Sequence, residues 1–208
     1  MGAMPAMPER EFHAAALRSL RMLLYVSVPV SVLLCVHVEP IVRVVLERGA
    51  FDAQSVLVTA AILQPLAVGL WALLVGYAGA KFMNARGRNW RLIAIYATGL
   101  GCNILLNLAL YRDFGSAALG IGAAAYGLVL GMGVLASLHL FRPLARDMSI
   151  MAVLASVYAA LWSLGPSHWE RSLWEAPMVF VIYWGAAALF VPRCREVLHD
   201  AWLILRTA

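Results

Sequence analysis

His37, Glu39 and Arg43 stand at the end of a long apolar run, and they are the first residues here whose types and spacing could do chemistry. Glu39 and Arg43 are four apart, which puts them on one helical face within pairing distance. Asn103 and Asn107, also four apart, sit deep in another apolar run. Arg18 and Arg21 precede Pro29 at the start of the first run. A charge in hydrocarbon is costly, so an ionisable residue inside such a run is a functional candidate. Each set also has a plainer reading. Glu39 and Arg43 form an interfacial pair if the first run ends near Val38, and a buried relay or substrate-facing site if it does not. The two asparagines either bond to a neighbouring helix or line a polar cavity. Arg21 either snorkels to the membrane surface or faces substrate. Arg21, Asn103 and Asn107 are the candidate substrate-binding residues.

Catalytic constellations are missing from the sequence. The five histidines, His13, His37, His139, His168 and His199, show no H-x-x-x-H spacing and no acid at metal-ligand distance. Neither a G-x-S-x-G elbow nor a phosphate-binding loop occurs, and GIGAAAYG (120–127) opens no strand-to-helix turn. Cys35, Cys102 and Cys194 lie in or beside apolar segments and read as small apolar residues. The expectation is a protein that is not an enzyme, with no metal and no cofactor.

The elements that carry these residues are long and apolar. Of 208 residues, 63% are hydrophobic and only 13% charged, with a mean hydropathy of +0.81. Soluble domains carry about twice that charge. Six apolar blocks, about 22–46, 56–80, 90–111, 116–141, 148–165 and 176–192, have roughly the 18 to 25 residues that cross a bilayer as a helix. This predicts an all-α integral membrane protein. The spans divide the chain into an N-terminal segment (1–21), four helices (22–146), two further helices (147–192) and an interfacial tail (193–208). In the tail Val197, Leu198, Trp202 and Leu205 recur at helical spacing.

The net charge of +5 fits the membrane better than nucleic acid. Alternating the six spans puts twelve of the sixteen Lys and Arg residues on one side, leaving Arg43, Arg48, Arg112 and Arg171 on the other. By the positive-inside rule the richer side is cytoplasmic, with both termini inside. Trp71, Trp90, Tyr111, Trp162, Trp169, Trp174 and Trp184 read mostly as an interfacial belt, and the Gly-rich run GLVLGMGVLAS (127–137) as a close helix contact. The N-terminus does not have the form of a signal peptide.

One motif carries a resemblance. The segment EPIVRVVLERGAFDA, after an apolar helix with an early proline, resembles the outer loop of the MviN/MurJ-type lipid II flippases, P-I-V-x-x-L-F-x-R-G-x-F-[DT]-A. Pro29, Pro40, Ile41, Val42, Leu46, Arg48, Gly49, Phe51, Asp52 and Ala53 match; Glu39 and Arg43 lie in the same loop. Upstream, Phe12, Leu17, Arg18 and Arg21 resemble the approach to that helix. Downstream, the segment containing Asn103 and Asn107, and then DFGSAALGIGAAAYG, are similar to the family's next loop and helices. The family's D-T-R-T-P turn is replaced here by Gly87-Arg88-Asn89-Trp90-Arg91, and Ala118 stands where a glycine is usual.

The resemblance implies a place in the multidrug/oligosaccharidyl-lipid/polysaccharide exporter superfamily. Such flippases have fourteen helices, and this chain resembles the last six, helices nine to fourteen. The cavity arginines of the family belong to the first eight, so no such residue carries over. The groove for the lipid tail would fall on 148–165 and 176–192. The implied function is that of a partial lipid II flippase for peptidoglycan synthesis, a multi-pass inner-membrane protein working by alternating access. It would need an N-terminal flippase half or self-association. The alternatives are an accessory or scaffolding subunit, an inactive truncated flippase, or a polysaccharide exporter of the same superfamily. The expected partners are the lipid bilayer and a lipid-linked oligosaccharide, not nucleic acid.

Overall fold

The structure, a computed structural model, describes residues 8–164, 175–197 and 199. Seven α-helices are present among them: α1 (Glu9–Val36), α2 (Val38–Leu46), α3 (Ala53–Ala85), α4 (Asn89–Phe114), α5 (Ala117–Ser137), α6 (Phe141–Leu164) and α7 (Glu175–Phe190). A further short helical stretch covers 192–197. Five helices, α1, α3, α4, α5 and α6, are long and apolar enough to cross a membrane, and α7 is a shorter apolar helix over the sixth expected block. Of the expected tail helix, Val197 is helical and buried, whereas Leu198, Trp202 and Leu205 lie outside the described residues. So do Arg171, His168, Trp169 and Trp174.

The first apolar block is two helices rather than one. Helix α1 starts at Glu9, well before the expected 22, and ends at Val36, and α2 follows after His37. Pro40 explains the break. Its ring clashes with the carbonyl four residues back and its nitrogen cannot donate, and that carbonyl belongs to Val36, the last residue of α1. In the first turn of α2 the same proline is tolerated, because an N–H there would lack an intrahelical partner anyway. Helix α3 is longer than its expected block, 33 residues or about 50 Å at 1.5 Å per residue. It therefore reaches beyond the roughly 30 Å apolar core of a bilayer or tilts within it.

Small residues set the packing at the centre. The buried stripe of α5 includes Gly120, Gly122, Ala124, Gly127 and Gly131, and that of α3 includes Gly69, Ala72, Gly76 and Gly79. A methyl group on Gly131 would come within 2.5 Å of the Ala72 carbonyl oxygen, and one on Gly127 within 2.8 Å of that of Gly69. The backbones are thus in direct contact, as small-residue interfaces permit. Helices α3 and α5 run parallel, with Gly69 at Ala124 and Gly79 at Val134. Helix α4 runs antiparallel to α5, with Gly99 at Tyr126 and Asn107 at Gly122.

Helix α1 lies antiparallel to α3, where Phe12 meets Phe82 in an edge contact at 5.7 Å. Its buried stripe Ala16, Leu20, Leu24 and Val28 joins a core with Met83, Leu130, Leu135, Leu144 and Met151. A separate small core of Val38, Val42, Val56 and Ala60, with Phe51 against it, fixes α2 on the start of α3. Helices α6 and α7 pair antiparallel through the Tyr183 hydroxyl, which donates to the Leu154 carbonyl at 2.7 Å. One end of the bundle therefore gathers the start of α1, the α3–α4 and α5–α6 turns and the segment after α7. Arg88 ties two of these together by donating to the Ser137 carbonyl at 2.7 Å. Trp71 is not part of a belt: it lies at the middle of α3 against the core.

Candidate functional site

Asp147 is the most deeply buried charge in the described residues. It stands in the second turn of α6 with no exposed surface. Its Oδ2 accepts from Arg21 Nε of α1 at 3.0 Å, and its Oδ1 from Arg193 Nε, just after α7, at 2.9 Å. The Tyr25 hydroxyl, one turn along α1 from Arg21, donates to Oδ1 at 3.1 Å. Arg193 also holds Glu196 at 2.7 Å through Nη1. A buried carboxylate is tolerated only when its lone pairs are met by charged or hydrogen-bonding donors. Guanidinium groups suit the task, being weakly hydrated and always charged. Arg21, expected to face the membrane surface or substrate, is thus committed through Nε to a carboxylate 126 residues away.

Nothing in the sequence singles out Asp147. It follows Arg146 immediately ahead of an apolar block and looks like a loop residue. The one available signal was an acid on a side otherwise rich in arginine, with apolar Met148, Ile150 and Met151 next to it.

His37 occupies the break between α1 and α2 and is only 2% exposed. Its Nε2 lies 2.6 Å from the Tyr158 hydroxyl of α6, and Trp162 of the same helix stands edge-on to the ring at 4.2 Å. The other ring nitrogen, Nδ1, is buried without a hydrogen-bond partner. Tyr158 in turn packs against Phe180 and Tyr183 of α7. This aromatic node joins α1, α6 and α7 at the end of the bundle opposite Asp147.

Asn103 and Asn107 bond to each other rather than to another helix: Asn107 Nδ2 donates to Asn103 Oδ1 at 2.8 Å. Gly122 of α5 makes room for them, since a methyl group there would meet Asn107 Oδ1 at 2.6 Å. Asn107 Oδ1 is buried and has no hydrogen-bond partner.

The outer-loop residues form a turn device. Arg43 pairs with Glu39 at 2.8 Å and with Glu47 at 3.4 Å, all on the exposed side of α2. With half of Arg43 and Glu39 exposed, this pair is of the surface kind and not a buried relay. The backbone turns at Gly49, whose φ of +59° is left-handed and favours glycine. The Arg48 carbonyl accepts from Phe51 N at 3.1 Å, and Phe51 covers the small core under α2. Asp52 caps α3, accepting from the Ser55 backbone N–H at 2.9 Å and from its hydroxyl at 2.8 Å. The Ser55 N–H holds the Asp52 carboxyl below its ordinary pKa.

Two clefts lie beside these residues. One of about 510 Å³ lies between α1, α3 and α6, with Leu24, Val28, Cys35, Trp71 and Met151 in its wall. The other, about 1120 Å³, opens beside α2 and is edged by His37, Glu39, Arg43, Gln64 and Trp162. Among the described residues no cluster of three or more His, Cys, Asp and Glu could hold a metal ion.

Spanning-length apolar helices, interlocked by glycine contacts and by ion pairs and hydrogen bonds between distant segments, define a multi-pass membrane protein. Within that class the chain belongs to the MurJ family: the family model described as lipid II flippase MurJ matches residues 7–184. This is a family of transporters of a peptidoglycan precursor, and the match takes in α1 to α6 and much of α7. No curated protein and no solved structure matches the chain significantly.

Proposed function

We propose that the chain serves to move a lipid-linked oligosaccharide, the peptidoglycan precursor lipid II, across the cytoplasmic (inner) membrane. The observation that carries this reading is the family match over 7–184. The arrangement of basic residues supports an orientation. Arg10, Arg18, Arg21, Lys81, Arg86, Arg88, Arg91, Arg142, Arg146, Arg193 and Arg195 gather at one end of the bundle, against Arg43, Arg48 and Arg112 at the other. The richer end is proposed as cytoplasmic.

Alternating access needs two helical bodies that rock against each other around a polar cavity. The helices α1 to α5 make one body, closed on itself through α3 and α5. The second is proposed to come from a partner chain, a second copy or further polypeptide. Asn103 and Asn107, with the unpartnered Asn107 Oδ1, are the proposed polar positions toward substrate; Arg21 contributes through the guanidinium nitrogens that Asp147 does not engage.

The test is rescue of growth in cells depleted of their lipid II flippase. Expression of the chain together with an N-terminal flippase half should restore growth, and the chain alone should not. Rescue by the chain alone would refute the need for a second body. Failure with every partner would refute transport and leave a binding role.

A further inference from the structure

The segment after α7 is attached to the bundle by one buried carboxylate and by two buried apolar side chains. Residues 192–197 form a short helical stretch with two inward positions, Cys194 and Val197, each 5% exposed. Three residues apart, they share a helical face, and both line an apolar crevice of about 200 Å³ with Met22, Tyr25, Met151 and Trp184. The crevice lies where α1, α6 and α7 converge. Arg193 points to Asp147 and Glu196 completes its ion pairing, while Arg195 is exposed. Asp147 thus has two arginines on its two carboxylate oxygens: Arg21, on Oδ2, belongs to the packed α1 and Arg193, on Oδ1, to the segment.

We propose that Asp147 and Arg193 form an ionic latch that holds the 192–197 segment shut over the crevice between α1, α6 and α7. The latch has unequal halves. Arg21 and Tyr25 keep the carboxylate satisfied when Arg193 leaves, because they supply two of its three hydrogen bonds. Arg193 remains 30% exposed when bound, so its charge can reach water when it leaves. Opening therefore strands no buried charge, the condition that makes breaking a buried pair prohibitive. The segment can lift while the α1–α3–α5 core, which is packed by glycine contacts and apolar side chains, stays in place. Local opening of such weakly anchored units is the expected low-energy motion of a folded chain.

Cys194 reports the latch directly, since its thiol is covered only while the segment is shut. The experiment measures labelling of Cys194 by N-ethylmaleimide in the purified full chain in detergent, resolved by mass spectrometry from Cys35 and Cys102. Arg193→Gln should raise the Cys194 rate about tenfold or more, since a hydrogen bond between charged groups, once lost, shifts a local opening equilibrium by about a decade or more. Cys35, in the wall of the α1–α3–α6 cleft, should keep its wild-type rate. Arg193→Lys should restore most of the protection. Arg21→Gln should leave Cys194 largely protected, because Asp147 still holds Arg193. Asp147→Asn should raise the Cys194 rate as well, and should that variant fail to fold, Arg193→Gln carries the test alone, because it leaves Asp147 paired with Arg21. Wild-type protection of Cys194 in Arg193→Gln would overturn the latch. An equal rise at Cys194 in Arg21→Gln, or a parallel rise at Cys35, would overturn it too, by showing general loosening instead.

Discussion

Tyr158 gives His37 its one hydrogen bond recorded among the described residues, and the ring's Nδ1 has none. Replacing Tyr158 by Phe keeps the aromatic packing on Phe180 and Tyr183 but leaves both ring nitrogens of a buried histidine unmet. The expected loss is about 1–2 kcal/mol, between the cost of an orphaned buried polar group in water-soluble proteins and the smaller values found between membrane helices. Reversible unfolding in mixed micelles measures it, and an unchanged midpoint would mean that His37 finds another partner. How much the sequence shows at this scale depends on where the partner lies. The Glu39–Arg43 pairing is readable because both residues sit on one helix turn. The Asn103–Asn107 spacing is equally plain, yet the alternatives it offered were a bond to a neighbouring helix and a polar cavity wall, whereas the two amides bond each other. Asp147 was hidden because its partners are 126, 122 and 46 residues away and only the folded chain brings them together.

Helices were legible through length and composition, and their contacts through glycine. The run 127–137 announces a close approach, and the structure supplies the partner face, α3 from Gly69 to Gly79. The break after Val36 was less legible. Pro40 marks it, but the apolar residues on both sides made one block of two helices. Glycines that look alike in sequence separate sharply by surroundings. At Gly131 a side chain runs into the Ala72 backbone, which cannot yield without moving α3 from α5. At Gly101 of α4 nothing lies within 4 Å. Gly131→Val should therefore destabilise the bundle by about 1–3 kcal/mol, the usual range for overpacking. Gly101→Ala should be neutral or slightly stabilising, since alanine is the better helix former. Thermal unfolding in detergent of the two variants side by side decides the matter. Equal melting temperatures would mean that the α3–α5 contact is not as close as described.

Orientation belongs to the whole molecule, because no single loop carries it. Two turns at opposite ends of α3 test it: Gly49 to Asp52 before the helix, and Arg86 to Arg88 after it. The first turn shares its end with the α4–α5 turn, the second with the α5–α6 turn, the start of α1 and the Asp147 cluster. All the basic residues of that second end must therefore face the same compartment if the helices cross the bilayer. Gly87 itself is a poor reporter, since its φ of +66° strains any other residue. Asn89, exposed at the start of α4, reports the same turn without that cost, and Ala50 reports the other. With Cys35, Cys102 and Cys194 replaced by alanine, Ala50→Cys should react with a membrane-impermeant maleimide on intact cells. Asn89→Cys should react only after the membrane is permeabilised. The opposite pattern would invert the chain and place Arg21, Asp147 and Arg193 on the outer side. Reaction of both positions in intact cells would mean that α3 does not span, and the positive-inside argument would fall with it. The expected result sets Arg21, Asp147 and Arg193 on the cytoplasmic side and the turn at Gly49 on the outer one.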